Sequence, residues 1–299
     1  MGRNHESVDC RKMLYTTNKS KEFGCRYLIS PYIGCEFRCA HCSGCPGYLE
    51  LRDYKESIGK IQVKLNAPAV LKRELKSSKK GVVCVSGYQL VEKEFRLVRK
   101  CLEILEARRF PVHVMTISNI VLDDLDLLSR ISENSWFAVS FRIMTMDDEI
   151  SNIFEQDAPS PKVRMKAIGK LVEAGVITGI APLTIIPYIN DSEEQLDDLI
   201  KSASNTNVGY IVPKILSLDD NLRAEFIKVI KRNYPELLIK YRRLYEFGST
   251  PEVKYSKQVK NRIISLLKKY EITDSIPQYY PKNRITQVNI EDFLQKRRK

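Results

Sequence analysis

Four cysteines fall within the eleven residues from Cys35 to Cys45, in a chain of 299 residues that holds only eight. Cys35, Cys39, Cys42 and Cys45 read CxxxCxxCxxC. A disulfide, a zinc ion and an iron–sulfur cluster all use clustered thiols. Structural zinc usually takes two pairs of ligands from separate knuckles, and Cys10 and Cys25 are too irregularly placed to form an obvious second pair. Three close thiolates suit a 4Fe–4S cubane with one iron left without a cysteine, free to bind a substrate or cofactor. Zinc, and a group of thiols with no ligand at all, stay open on spacing alone.

The redox setting bears on that choice. The opening residues, MGRNHESVDCRKML, hold no apolar run of signal-peptide length. No stretch approaches the roughly 18 apolar residues of a membrane span. The expectation is a cytoplasmic protein with no membrane contact, where thiols stay reduced and clustered cysteines point to metal or catalysis.

Alternating elements position the thiols. Short apolar runs at 81–87, 112–118, 136–143, 178–187 and 209–215 read as strands, and 92–109, 122–131, 162–174 and 192–203 have helical periodicity. Ser160-Pro161 supplies an N-cap and a first-turn proline, and Gly175 ends that helix. With "RYLISPY" before the cysteines and "APAVLKRELKSS" after them, about six βα units result. The pattern predicts an α/β fold with a parallel sheet covered by helices. A partly closed barrel and an open doubly wound sheet both fit, and in either the ligand lies at the C-terminal ends of the strands, where the cysteine loop sits. Residues 1–24 read as an N-terminal extension, 25–219 as the core, and 220–299 as a basic, mainly helical C-terminal extension.

On these residues the chain resembles the radical S-adenosylmethionine (radical SAM) enzymes, whose signature is CxxxCxxC after the first strand of a barrel. More closely it resembles their spore photoproduct lyase-related branch, often labelled DNA repair photolyase. "SPYIGCEFRCAHC", "VKLNAPAVLKREL", "RRFPVHVMTIS", "FEQDAPSPKVRMKAIGKLVEAGV" and "IIPYIND" carry the likeness in order. The resemblance implies a partial (β/α)6 TIM-type barrel. It implies a 4Fe–4S cluster on Cys35, Cys39 and Cys42, and S-adenosylmethionine on the fourth iron. It also implies a flavodoxin- or ferredoxin-type electron donor. His41, before the third cysteine, would pack on the adenine; Ser86 would bind the methionine moiety; Ser140 would lie near the ribose; Leu183 would face the adenine. Cys84-Val85-Ser86 resembles the lyase pattern Cys-x-Ser, which makes Cys84 a candidate hydrogen-atom donor, against the reading of a small buried hydrophobe. Ile117 stands where this branch often has a carboxylate-neutralising lysine. Arg142, two residues past Ser140 on the same strand face, is the candidate replacement, against a structural salt bridge. Cys45 reads as a neutral neighbour and Cys101 as core packing.

The net charge is +12. Residues 220–299 carry 19 Lys/Arg against 9 Asp/Glu, or +10, which leaves 30 against 28, or +2, for the first 219. Such a basic tail suits nucleic acid or a merely solvated surface. In the first case Arg242, Arg243, Lys268 and Lys269 would hold phosphates while Tyr241 or Tyr245 stacks on a base. Three function classes follow: radical SAM chemistry on a nucleic acid, of repair, lyase or modifying type; the same chemistry on a peptide, lipid or metabolite; and a non-enzymatic iron–sulfur or zinc nucleic-acid-binding protein.

Overall fold

The computed structural model describes residues 5–17, 23–42 and 60–280. Cys45 and the end of the C-terminal extension, 281–299, lie outside them. The strands are β1 (His5–Val8), β2 (Tyr15–Thr16), β3 (Tyr27–Ile29), β4 (Tyr32–Ile33), β5 (Ile61–Lys64), β6 (Val83–Val85), β7 (Val112–Thr116), β8 (Phe137–Phe141), β9 (Ile177–Ile185) and β10 (Tyr210–Ile215). The helices are α1 (Ala67–Glu74), α2 (Glu92–Phe95), α3 (Leu97–Ala107), α4 (Leu125–Asn134), α5 (Asp148–Phe154), α6 (Pro161–Glu173), α7 (Glu193–Ser204), α8 (Asp220–Asn233), α9 (Leu238–Leu244) and α10 (Val253–Lys269).

The main sheet has the order β10-β9-β8-β7-β6-β3-β2. Every pair from β3 to β10 is parallel, and β2 runs antiparallel to β3 at the edge. β10 and β2 are its two edges and do not pair with each other. The six parallel strands therefore form an α/β fold consistent with a partial barrel. A small second sheet, β1-β5-β4, joins the N-terminal strand to two strands of the first crossover. β6 and β8 are buried on both faces, as parallel strands under helices must be. α3 buries Leu97, Val98, Cys101, Leu102 and Leu105 in the main core, the i, i+3/i+4 stripe that its sequence spells. Each fully buried leucine contributes about 1.5–3 kcal/mol.

The periodic run 92–109 predicts one helix, but the chain breaks at Arg96, which takes a left-handed φ of 54°. The reason is Glu92. Its buried carboxylate accepts the N–H groups of Val98 at 3.0 Å and Arg99 at 3.1 Å, and the Tyr32 hydroxyl. A carboxylate satisfying the first free donors of α3 defines a helix start that periodicity does not mark.

Inside the strand layer, register sets His113 beside Cys84 and Ala138, and Met115 beside Ser140. Ser140 lies opposite Gly179. A Cβ on Gly179 would stand 2.3 Å from the Tyr210 ring, so glycine makes room for that ring. Past the C-terminal ends of β8–β10, α8 and α9 build a second core in which Phe154 stacks on Phe226 at 5.9 Å. After α10 the chain returns to the other end of the layer, where Thr273 bridges Tyr210, the first residue of β10.

Candidate functional site

The cysteine loop leaves β4 through Gly34, whose φ of 91° favours glycine. Its first part is tied to the turn after β6. Glu36 N–H donates to Gln89 Oε1 at 2.9 Å, and Val91 N–H donates to Glu36 Oε2 at 2.9 Å. Its second part is tied to α5: Ala40 N–H donates to the Phe154 carbonyl at 2.8 Å, and Cys39 forms a backbone bridge with Glu155. Cys39 and Cys42 are thereby buried, and Cys35 is half-buried.

The three thiols share one cavity with Ser86, Ile117 and Arg142. Its space is about 700 Å³, counting what is open at its mouth. Phe37 N–H donates to Cys35 Sγ at 3.4 Å, and Arg142 Nη1 donates to Cys42 Sγ at 3.2 Å. Burial pushes the Cys39 thiol well up, and the charges of Glu155, Cys42 and Cys35 add to this while Arg142 opposes it. A Cys39 thiolate is therefore stable only against a strong cation. Among the described residues no three His, Cys, Asp or Glu side chains converge on a point for a single metal ion. Thiols spread round a cavity, with N–H donors on two of the sulfurs, fit the ligands of an iron–sulfur cluster.

The other expected residues divide. Ser86 and Arg142 line the cavity, and Ile117 stands there with them. His41, Cys84, Ser140 and Leu183 are not among the described residues lining it. His41 instead faces Glu155, Nε2 to Oε1 3.5 Å. Burial holds its imidazole below the ordinary value, with the Glu155 charge opposing, so the ring is neutral near pH 7. Leu183 lies in the main core. Ser140 is enclosed below the cavity, its Oγ 2.7 Å from His113 Nε2 and 2.8 Å from the Tyr210 hydroxyl. Cys84 is 1% exposed and sits beside Cys25, whose Sγ lies 3.6 Å from His113 Nδ1. Cys101 is fully buried.

Two expectations about the tail are corrected. Tyr241 and Tyr245 are buried, with their hydroxyls donated to the carbonyls of Pro187 and Leu216, so neither ring is free to stack on a base. Lys268 and Lys269 end α10 near the Thr273–Tyr210 bridge, the end of the strand layer opposite the cysteine loop. Lys269 is paired there with Asp197 at 2.7 Å. Arg242 and Arg243 are exposed on α9, whose tyrosines hold it over the ends of β9 and β10. Sequence reasoning missed Gln89 and Glu36, which fix the loop, and the buried pair Glu155–Arg164 behind it. These contacts span long sequence separations, and no spacing rule marks them.

Comparison with known proteins agrees with this geometry. An uncharacterized protein of Mycobacterium tuberculosis is 26% identical over 276 residues, covering 90% of this chain and 81% of its own. An uncharacterized protein of Methanocaldococcus jannaschii is 29% identical over 223 residues, covering 73% and 80%. Among solved structures, Streptococcus suis SuiB superposes with a TM-score of 0.54 at 13% identity, covering 85% of this chain. The chain spans about half of SuiB, 49% of its length, and the likeness is one of fold. No helix among the described residues is long and apolar enough to cross a membrane. The family model of the radical SAM superfamily matches residues 29–200, the span that holds the three cysteines and the strands from β4 to β9. The chain therefore belongs to the radical SAM superfamily, a membership that implies an iron–sulfur cluster and S-adenosylmethionine.

Proposed function

We propose that Cys35, Cys39 and Cys42 hold a 4Fe–4S cluster, that S-adenosylmethionine binds in the cavity they share with Ser86 and Arg142, and that the enzyme acts on a nucleic acid. The carrying observation is that one cavity gathers three thiols, a hydroxyl and a guanidinium at the ends of the parallel strands. When bound, the cluster and S-adenosylmethionine supply one-electron cleavage of the sulfonium and a 5′-deoxyadenosyl radical that abstracts hydrogen. The chain's own residues bind and orient. Arg142 offsets the charge of the cofactor carboxylate and of the thiolates, the place that Ile117 cannot fill. Ser86 offers a hydroxyl to the methionine end. Phe37, Tyr88 and Ile117 give the cavity apolar walls that exclude water. The donor role expected of Cys84 is not carried into this reading, because its thiol is enclosed with Cys25 away from the cavity wall.

The nucleic-acid reading is supported by the +10 balance of residues 220–299, the exposed Arg242 and Arg243, and the fragments shared with the lesion-repair branch. Tyr188, 39% exposed with Lys240 Nζ 5.5 Å from its ring centre, is the base-stacking candidate in place of Tyr241 and Tyr245. A peptide is the second reading, since SuiB has been described bound to its precursor peptide SuiA. The test is anaerobic reconstitution, then a 5′-deoxyadenosine assay with dithionite and candidate DNA, RNA and peptide substrates. Iron-free zinc binding with no 5′-deoxyadenosine would mean a binding protein instead. A fluorescence-anisotropy salt titration should give a log–log slope of about −0.7 per phosphate for single strands. Replacing Arg242 and Arg243 together by alanine should flatten it by about two contacts. No detectable affinity at low salt would move the search to peptides, lipids and metabolites.

A further inference from the structure

Arg164, on α6, has no exposed surface. A buried guanidinium must have its charge matched and its donors used. Nη2 meets Glu155 Oε2 at 2.5 Å and Ser151 Oγ at 3.1 Å, and Nη1 donates to the carbonyl of Arg142 at 2.8 Å. Glu155 is itself 1% exposed. Two of these partners, Glu155 and Arg142, lead to the cysteine loop by different routes. Glu155 and its neighbour Phe154 grip the loop backbone at Cys39 and Ala40. Arg142 reaches across the cavity to Cys42 Sγ. Arg164 is the side chain at which the two routes meet.

Stability alone does not account for this arrangement. Apolar residues of similar volume commonly fill such a space without loss, and Nε of Arg164 has no hydrogen-bond partner among the described residues, which is a cost. Apolar side chains would not hold two separate backbone segments at fixed hydrogen-bond distances. We propose that Arg164 and Glu155 are positioning residues that set Cys39 and Cys42 at the spacing their cluster requires, one through the backbone of Arg142 and the other through the cysteine loop. The proposal rests on the cluster reading above.

The test separates fit from folding. In the double variant Glu155→Leu with Arg164→Met, both buried charges go together, so thermal stability should stay near that of the wild type. In the apoprotein, Cys39 and Cys42 should be alkylated about tenfold faster, as loss of a charge-assisted hydrogen bond implies, with Cys101 unchanged as the internal control. After reconstitution, iron content should fall and the reduction potential of the remaining cluster should shift. Arg164→Lys keeps the pairing with Glu155 but loses the donor to the Arg142 carbonyl. It should expose Cys42 and spare Cys39, and it decides the matter if the double variant does not fold. Wild-type alkylation at both cysteines with an unchanged potential overturns the proposal, and so does faster alkylation that includes Cys101. If the wild type assembles no cluster, the cluster reading falls, while the apoprotein alkylation still judges the two residues.

Discussion

The mouth of the strand layer and its interior are built from the same side chains and behave as opposites. At the mouth, Cys42 and Ser86 line an accessible cavity beside Arg142. One pleat deeper, Cys84 and Ser140 are enclosed: Ser140 is bonded to His113 and Tyr210, and the Tyr210 hydroxyl also reaches the Val139 carbonyl at 3.2 Å. Thiol and hydroxyl face open space in one place and are closed in by neighbours in the other, depending on where along the strand they fall.

That contrast can be broken experimentally, and the largest effect should be at the mouth. Alanine at Cys35, Cys39 or Cys42 should each abolish the visible absorbance of the reconstituted cluster. Cys84→Ala should keep the absorbance and lose only stability, by about 1 kcal/mol for a small buried side chain. Loss of the cluster in Cys84→Ala would erase the distinction.

Next in size is Gly179→Ala. The new methyl meets a Tyr210 ring that its hydrogen bonds prevent from yielding. Thermal unfolding should show a loss at or above the upper end of the usual overpacking range of about 1–3 kcal/mol, while a cluster on the other side of Ser86 still forms. Arg142→Ala should then weaken S-adenosylmethionine binding by about tenfold by calorimetry, with Arg142→Lys intermediate because it keeps the charge but not the fork. Equal affinities in all three would remove Arg142 from the pocket.

The smallest effect is titration of the interior. Burial lowers the His113 pKa, with Cys84 opposing. A histidine depressed in the folded state is protonated first in the unfolded chain. Its stabilising contribution is therefore full above about pH 6.5, the unfolded value, and declines as pH falls toward the folded value. One such group changes stability by at most about 1.4 kcal/mol per pH unit. His41 titrates in the same direction, so His113→Gln should flatten the melting-temperature profile between pH 6.5 and 5 without levelling it. A profile as steep as the wild type's would show that His113 takes up its proton equally in the folded and the unfolded chain.

Much of this was legible in the sequence. The parallel strands were marked by short apolar runs, their helices by 3.6-residue periodicity, and the three cysteines that share the cavity by their spacing. What escaped has a common cause. Periodicity says which face a residue occupies but not who meets it there. Ser140 and Arg142 share a strand face, yet Tyr210 lies over Gly179 and claims the first alone. Tyr241 and Tyr245 read equally as packing rings or as base platforms, and the carbonyls of Pro187 and Leu216 decide for packing. Glu155 and Arg164 are nine residues apart across a helix start, a separation that no repeat describes. His41 adjoins a ligand in sequence but turns toward that pair.

The tie between Glu36, Gln89 and Val91 has a consequence for assembly. Ordering a free loop costs about 1–2 kcal/mol per residue, and a metal centre that must order its own loop spends binding energy on it. Small zinc domains are unfolded without their metal for that reason. Here the first half of the cysteine loop is already fastened to the turn after β6 by two side chains. The entropy of that segment is lost when the chain folds, before any iron arrives. A cluster held as proposed by Cys35, Cys39 and Cys42 would then enter a frame whose first half already stands.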